Sequence, residues 1–158
     1  MSQPSREVVL RFLASPQDVN FGGKVHGGSI MKWIDQAAYA CASGWSRGYS
    51  VTAHIGDVSF MQPVQVGAII EIRAKIIFTG NSSMHIAVGL RACDPMHCDM
   101  TDSLRCVLIF VAVDEDRKPR SVPKWVPETD EDKALEQYAQ KLVSLRKGLH
   151  AELGELDF

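Results

Sequence analysis

The sequence predicts an α+β fold in which one long helix packs against an antiparallel sheet and a second, amphipathic helix follows at the C-terminal end. From Ser29 the chain is apolar on nearly every side, with the letters IMKWIDQAAYACASGW, which is typical of a buried helix. After this helix the apolar period changes from about 3.6 residues to about 2, which indicates half-buried strands. Because one helix covers only one face of a sheet, we expect a second copy of the chain to close the assembly.

The elements follow one another with clear boundaries. The first is a short strand at residues 7–13, and a turn-rich segment with four glycines separates it from the helix. The helix starts at Ser29 and ends near Gly44 or Gly48. Alternating residues on either side of the turn Gly80-Asn81-Ser82-Ser83 predict an antiparallel hairpin. The expected strands after the helix are 51–61, 70–78, 86–92 and 104–113.

The C-terminal segment predicts a surface helix. It opens at Pro127 with the letters PETDEDK, and acidic residues favour the first turn of a helix. Apolar residues then recur at steps of three and four: Leu135, Tyr138, Leu142, Leu145 and Leu149. This helix lies either on the body of the protein or on a partner chain. We therefore divide the sequence into a core domain, 1–127, and a helical extension, 128–158.

Composition excludes several classes of protein. The 17 basic and 19 acidic residues give a net charge of −2, which argues against nucleic-acid binding through overall basic charge. No stretch has the roughly 18–20 apolar residues that a membrane span needs, and the N-terminal segment lacks the apolar core of a secretory signal. The four cysteines are too few and too scattered for a disulfide framework. We expect a cytoplasmic protein.

One segment carries residues suited to catalysis, with the pattern Asn20-x5-His26-Gly27-Gly28-x6-Asp35. Glycines before a helix let a ligand approach the backbone, and the amides of the first turn can stabilise the oxyanion of a carbonyl under attack. Asp35 follows Gly28 by about two turns, or roughly 10 Å along the axis. One small carbonyl could hardly touch both in the same chain, so the spacing suggests a site shared across a dimer.

Each of these residues also has a purely structural interpretation. The glycines could form only a turn, Asn20 could cap an Asx turn, and His26 could be a polar turn residue. A carboxylate such as Asp35 among apolar neighbours must be paired, hydrogen-bonded or functional, and Lys32 is a possible partner on the same helix.

The sequence resembles the hotdog-fold acyl-CoA thioesterases, in particular the cytosolic long-chain acyl-CoA hydrolase branch. The resemblance covers about residues 7–130. It rests on the runs DVNFGGKVHGGSIMKWIDQAA, VTAHIGDVSFMQPVQVGAIIEIRAKIIFTGNSSMHIAVGL and RCVLIFVAVDEDRKPRSVPKWVPET. It implies a hotdog fold, in which an antiparallel sheet wraps around a long central helix. It also implies hydrolysis of fatty acyl-CoA to a fatty acid and CoA, with no metal and no cofactor other than the CoA of the substrate.

The resemblance further assigns roles to individual residues. Asn20 and Asp35 would be catalytic, with Asp35 as general base or nucleophile, and the Gly27-Gly28 backbone would polarise the thioester carbonyl. A homodimer would hold two complete sites, and the resemblance suggests further assembly into a trimer of dimers. The residues expected along the CoA groove are Thr52 near the pantetheine, Asn81, Ser82, Ser83 and Met84, and, for the phosphates, Lys118 and Arg120 in the basic turn with Arg117. Met84 could instead only fill the sheet.

Three other interpretations stay open at this stage. The segment from Cys93 to Cys98 offers thiols and an imidazole to a metal, but it lacks a second half at the usual zinc spacing. A hydratase or dehydratase would need a histidine paired with an acid, for which His26 or His54 is available. A non-catalytic acyl-CoA-binding module would gain nothing from Asp35 facing a thioester, so this residue separates the alternatives.

Overall fold

The computed structural model of the protein describes residues 4–154. All predicted helices and strands are present, with small shifts at their ends. The long helix begins at Gly27, two residues before the expected Ser29, because His26 caps it. The elements in chain order are β1 (Glu7–Leu13), α1 (Gly27–Ser46), β2 (Ser50–Phe60), β3 (Ile69–Thr79), β4 (Ser83–Cys93), β5 (Thr101–Ala112) and α2 (Asp130–Leu153).

The five strands form one sheet in the order β1-β3-β4-β5-β2, and every neighbouring pair is antiparallel. The sheet packs against α1, which touches all five strands. This is the α+β arrangement of a long helix wrapped by an antiparallel sheet that the sequence predicts. Strand β2 lies at one edge, and its pairing with β5 shifts register between Thr52 and His54 and again between Gly56 and Ser59.

The main core lies between α1 and one face of the sheet. Alanines at positions 37, 38 and 42 of α1 are completely buried, and their small side chains let the helix axis approach the strands closely. The sheet contributes large side chains from alternate positions, as the period of two requires. Those from the three central strands include Ile70, Ile72, Ile76, Ile86, Leu90, Leu104, Leu108 and Phe110.

One face of α1 is exposed in the single chain. Lys32, Gln36, Tyr39 and Ala40 are exposed on it, and Asp35 is half-buried. The prediction of a helix buried on every side is therefore wrong for one copy of the chain. Strand β2 runs beside this face, and its residues after Ser50 are half-buried or exposed. Helix and edge strand together form a continuous surface, the open face.

Helix α2 lies on the sheet face opposite α1 and settles the choice between body and partner in favour of the body. Ile77 and Val107 form a second apolar cluster there with Ala139 of the helix. Thr129 and Asp132 form a capping box at its start, and the Arg6 guanidinium donates to Asp132 at 2.6 Å. Neither α2 nor α1 is long and apolar enough to cross a membrane.

Candidate active site

The turn before α1 is built around the side chain of Asn20. Its Oδ1 accepts hydrogen bonds from the backbone amides of Gly22, at 2.9 Å, and Lys24, at 3.1 Å. The turn is held to the body where Val25 donates to the Val64 carbonyl at 2.9 Å. The Asx-turn interpretation of Asn20 is thus confirmed. It leaves the Nδ2 amide group, a donor, for any further role.

The amides of the two glycines at the start of α1 are not equivalent. His26 is the N-cap, and its Nδ1 accepts a hydrogen bond from the Gly28 amide at 3.0 Å. A Cβ at position 28 would lie 3.2 Å from that nitrogen, a tight contact that would press on the imidazole. This differs from the expectation that both glycine amides polarise a carbonyl, because the Gly28 amide is occupied within the chain. Gly27, the first residue of the helix, retains the outward-facing amide of a helix N-terminus.

Asp35 lies on the open face, where Thr52 rather than Lys32 binds it. The Thr52 hydroxyl donates to Asp35 Oδ1 at 2.7 Å, which fixes the carboxylate toward strand β2. Within residues 4–154 no ion pair joins Asp35 to Lys32, so that structural interpretation of the aspartate is wrong. A half-buried carboxylate that is held by one hydroxyl presents its second oxygen to whatever covers the open face.

The hydrogen bond from Thr52 was not foreseen from the sequence. The Thr52 hydroxyl lies on Asp35, and its position near the pantetheine stays a prediction. Nothing in the local pattern of β2 distinguishes this threonine from an ordinary exposed strand residue. Only the packing of β2 beside α1 brings the two together.

Asn20 and Asp35 do not meet within one chain. Asp35 is about 10 Å from Gly28 along the helix axis, and among the described residues no hydrogen bond links it to the turn that carries Asn20. The turn lies at the N-terminus of α1, and Asp35 lies on the open face two turns further along. The separation expected from the sequence is therefore present.

The β3–β4 turn is accessible, except for one residue assigned to it. Asn81 is exposed, its Oδ1 accepts from the Ser121 hydroxyl at 3.3 Å, and Ser82 and Ser83 are half-buried. Met84 is completely buried in the main core. The interpretation of Met84 as part of a CoA groove is therefore wrong, and its alternative role of filling the sheet is confirmed.

The basic side chains of the turn after β5 have different surroundings. The Arg120 guanidinium donates to the Ser46 carbonyl at 3.0 Å and to the Val113 carbonyl at 3.3 Å. It therefore stabilises the C-terminal end of α1, which differs from the expected contact with a phosphate. Lys118 and Arg117 are exposed, and a role for Lys118 in CoA binding stays a prediction.

In the part of the chain that the structure describes, the cysteines and the other histidines considered as site residues do not form a second site with Asp35. Cys93 is buried, Cys98 is exposed, and His97 lies 3.8 Å from Asp94; no group of three metal-ligating side chains was found among the described residues. Burial raises the pKa of Cys41 and of Cys106 to about 12, so both are core thiols. His54 lines a cavity together with residues of α2, and none of the residues assigned to catalysis lines that cavity.

The comparisons with known proteins agree with this architecture. Residues 22–98 match the Thioesterase superfamily. Acyl-CoA thioester hydrolase YciA of Salmonella typhimurium is 32% identical over 76% of this chain and 92% of its own length. The cytosolic acyl coenzyme A thioester hydrolase of Mus musculus is 34% identical over 77% of this chain. The matched part makes up 32% of that longer protein.

Solved structures are similar over nearly the whole chain. An apo-hexameric acyl-CoA thioesterase has a TM-score of 0.88 and 31% identity, with 92% of this chain and 94% of that chain covered. The acyl-CoA hydrolase of Staphylococcus aureus, in complex with butyryl-CoA, CoA and CoA disulfide, has a TM-score of 0.85 and 30% identity over 96% and 93%.

The wrapped helix, the glycine turn at its N-terminus and the aspartate on its open face define the class of hotdog-fold thioesterases. Within that class the chain belongs to the acyl-CoA thioester hydrolases.

Proposed function

We propose that the protein hydrolyses the thioester of fatty acyl-CoA to a free fatty acid and CoA, with Asp35 as the general base or the nucleophile. The observation that carries this proposal is the state of Asp35. Its carboxylate is half-buried on the open face and is oriented by Thr52 rather than neutralised by Lys32. A carboxylate so placed can accept a proton from water or attack a carbonyl.

Hydrolysis of a thioester requires few further groups in the site. A thiol is a good leaving group, since its pKa is only about 8.5, so the main needs are delivery of water and stabilisation of the oxyanion. The Gly27 amide, aided by the positive end of the α1 dipole, is the donor we assign to the oxyanion. The Nδ2 group of Asn20 would orient the water or the carboxylate.

A second copy of the chain would complete the site. Asp35 and the Asn20 turn are too far apart in one chain to act on one carbonyl, and both border surface that a partner can cover. Strand β2 is an exposed edge, which is suited to pairing with its own copy. We therefore propose a homodimer with two shared sites and a further trimer of dimers. Similar proteins whose structures are solved, including the thioesterase y2039 of Yersinia pestis, are hexameric.

The choice of residues has support from a relative. The Staphylococcus aureus hydrolase has been solved as variants in which an asparagine, an aspartate or a threonine is replaced by alanine. Those three residues have the same separations along the chain as Asn20, Asp35 and Thr52. The asparagine variant of that protein was solved in complex with CoA.

The CoA moiety would lie along the accessible β3–β4 turn. Asn81, Ser82 and Ser83 offer amide and hydroxyl groups there, and Lys118 offers a cation to the phosphates. We propose that the reaction uses no metal and no cofactor apart from the CoA of the substrate. We also place it in the cytoplasm, supported by the free cysteines and by the mouse relative, which is cytosolic.

Thiol release from acyl-CoA tests the proposal. Asp35→Asn removes the base and the nucleophile while it keeps the shape of the side chain, and we expect kcat to fall by at least about a hundredfold. Asn20→Ala should also lower kcat, while Lys32→Ala, an exposed change on the same helix, serves as the matched control. An Asp35→Asn variant that hydrolyses at the wild-type rate would contradict the role of Asp35. A wild-type protein that binds acyl-CoA but releases no thiol would favour a non-catalytic acyl-CoA-binding module.

Labelled water separates the two routes. In a single turnover in ¹⁸O-water, a general base places the label only in the fatty acid. A nucleophilic Asp35 forms an anhydride, and water that attacks its aspartyl carbonyl leaves label in the Asp35 carboxylate. Mass spectrometry of the peptide that contains Asp35 distinguishes these outcomes.

A further inference from the structure

A cavity of about 400 Å³ lies between α2 and the sheet face turned away from α1. Its size falls in the range of about 300–1,000 Å³ that is usual for small-molecule sites. No residue assigned to the hydrolytic site lines it. Its apolar walls are formed by Val107, Ile109, Leu142, Val143, Leu145 and Leu149.

The two charged groups of this cavity lie apart, and the imidazoles of His54 and His85 also line it. At one end is Asp57, whose carboxylate accepts a hydrogen bond from the Tyr138 hydroxyl. At the other end is Arg146, which also borders a neighbouring cleft with Ser83 and His150. Tyr138 and Arg146 are about 12 Å apart along the axis of α2. An apolar channel therefore separates an acidic end, occupied by a tyrosine, from a cationic end.

The cationic end offers donors to an anion. Within residues 4–154, Arg146 forms no ion pair with a carboxylate. Burial, and after it the charge of Arg146, lowers the pKa of His85 to about 4 and lowers the pKa of His54. Both imidazoles are thus neutral at neutral pH, and each can still donate one N–H.

The position of His54 depends on a glycine. A Cβ at residue 56 would lie 2.6 Å from His54 Nε2, so a larger residue there would displace the tip of the imidazole, which lines the cavity. The pairing of β2 with β5 shifts register just after this glycine, between Gly56 and Ser59. Gly56 therefore leaves room for the imidazole beside the cavity.

We propose that this cavity is a second ligand site that binds a free fatty acid, with the carboxylate at Arg146 and the chain between α2 and the sheet. A fatty acid has the matching chemistry, since it is one apolar chain with one anionic end. The choice of this amphipathic anion rests on the proposed function, because hydrolysis of acyl-CoA releases it. The site would let the enzyme bind its own product at a distance from Asp35.

Titration calorimetry with dodecanoate tests the proposal. The protein carries Asp35→Asn, and its hydrolytic site is filled with the thioether analogue of dodecanoyl-CoA, so neither turnover nor product binding there contributes. We expect Arg146→Leu to weaken dodecanoate binding about tenfold or more, since it removes a charged hydrogen-bond donor. Lys147→Leu, an exposed cation beside it that does not line the cavity, should leave the affinity unchanged.

Two further measurements sharpen the result. Dodecanol lacks the charge, so it should bind the parent protein, which carries only Asp35→Asn, more weakly than dodecanoate does. The added Arg146→Leu change should not alter the affinity for dodecanol. Leu145→Trp, at the exposed rim of the cavity, should lower the affinity for both ligands by narrowing the channel.

Three outcomes would overturn the proposal. One is dodecanoate bound equally well by the parent and Arg146→Leu, and another is a parent that does not bind dodecanoate at all. The third is a fall in molecular mass for Arg146→Leu and Leu145→Trp without a change in dodecanoate affinity, which would assign this surface to contacts between copies. Dodecanoate binding is measured without turnover. A failure to bind dodecanoate in the cavity would therefore leave the proposed hydrolysis untouched, and a failure of hydrolysis would not affect the binding result.

Discussion

At the scale of single residues, the site depends on the hydrogen bond from Thr52 to Asp35. The hydroxyl holds one carboxylate oxygen toward β2 at 2.7 Å and so fixes the direction of the other. The importance of Asp35 could be predicted, because a carboxylate on an apolar helix needs a reason to be there. Its partner could not, since Lys32 is three residues away in sequence while Thr52 comes close only through the packing of β2.

Thr52→Val tests the role of this hydroxyl. A hydrogen bond to a charged group is worth about 1.5–3 kcal/mol, so we expect kcat to fall by about ten- to a hundredfold. Because Thr52 acts through Asp35, KM should change much less than kcat. Thr52→Ser keeps the hydroxyl and should restore most of the rate. Equal rates for the valine variant and the wild type would show that Asp35 is positioned by something else.

Met84 and Arg120 show where prediction by position along the chain fails. Both are close in sequence to residues at accessible turns, yet Met84 points into the main core and Arg120 binds the carbonyl end of α1. In a strand the direction of a side chain alternates with every residue, so a neighbour of an accessible serine is completely buried. An arginine near a turn has the reach to satisfy the last carbonyls of a helix.

At the scale of elements, α2 is attached to the sheet by its first turn. Thr129 and Asp132 form the capping box, and Asp132, with its side chain 8% exposed, also accepts from Arg6. The sequence predicted this helix from its acidic start and its apolar steps. The sequence could not show that the apolar residues of α2 differ in burial. Leu135 and Leu142 pack on the sheet, while Leu145 and Leu149 stay exposed.

Substitutions at this cap should lower stability to different degrees. Thr129→Ala removes one cap and should lower the free energy of unfolding by about 1 kcal/mol. Asp132→Asn weakens both the cap and the ion pair with Arg6, so we expect a larger loss. Urea denaturation followed by circular dichroism measures both. A smaller loss for Asp132→Asn than for Thr129→Ala would contradict the role of the ion pair.

The same contact makes stability depend on pH. The hydrogen bond from Arg6 holds the pKa of Asp132 well below its ordinary value. A carboxyl group with a lower pKa in the folded state stabilises that state at pH values above its unfolded pKa of about 3.9 and loses this contribution as the pH falls further. The free energy of unfolding should therefore decrease below about pH 4 in the wild type and less steeply in Asp132→Asn. Identical slopes for the two proteins would exclude this linkage.

At the scale of the whole molecule, the single chain leaves one face of its central helix exposed. A run of alanines and aromatic residues predicted a helix buried on all sides, and the sequence could not distinguish burial within one chain from burial by a partner. The exposed residues Gln36, Tyr39 and Ala40 lie beside an exposed edge strand. This arrangement explains why the pattern of a buried helix occurs on a helix that is half open.

Blocking the edge strand tests the assembly. Val51 and Val58 are exposed on β2, and lysine at the edge of a sheet opposes pairing with another strand. We expect the double variant Val51→Lys/Val58→Lys to have a lower molecular mass by light scattering and to lose thiol release, although Asp35 is intact. Lys32→Ala is the control for a change on the open face that leaves β2 unaltered. A monomeric double variant with the wild-type rate would show that one chain holds a complete site.

Complementation between two inactive variants tests the shared site most directly. Asn20→Ala and Asp35→Ala are each expected to be inactive alone, and both are co-expressed in equal amounts. If Asn20 of one copy acts with Asp35 of the other, half of the dimers are mixed and each has one intact site of two, so thiol release should recover to about a quarter of the wild-type rate. A co-expressed mixture that stays as inactive as the separate variants would place both residues in one chain and contradict the account.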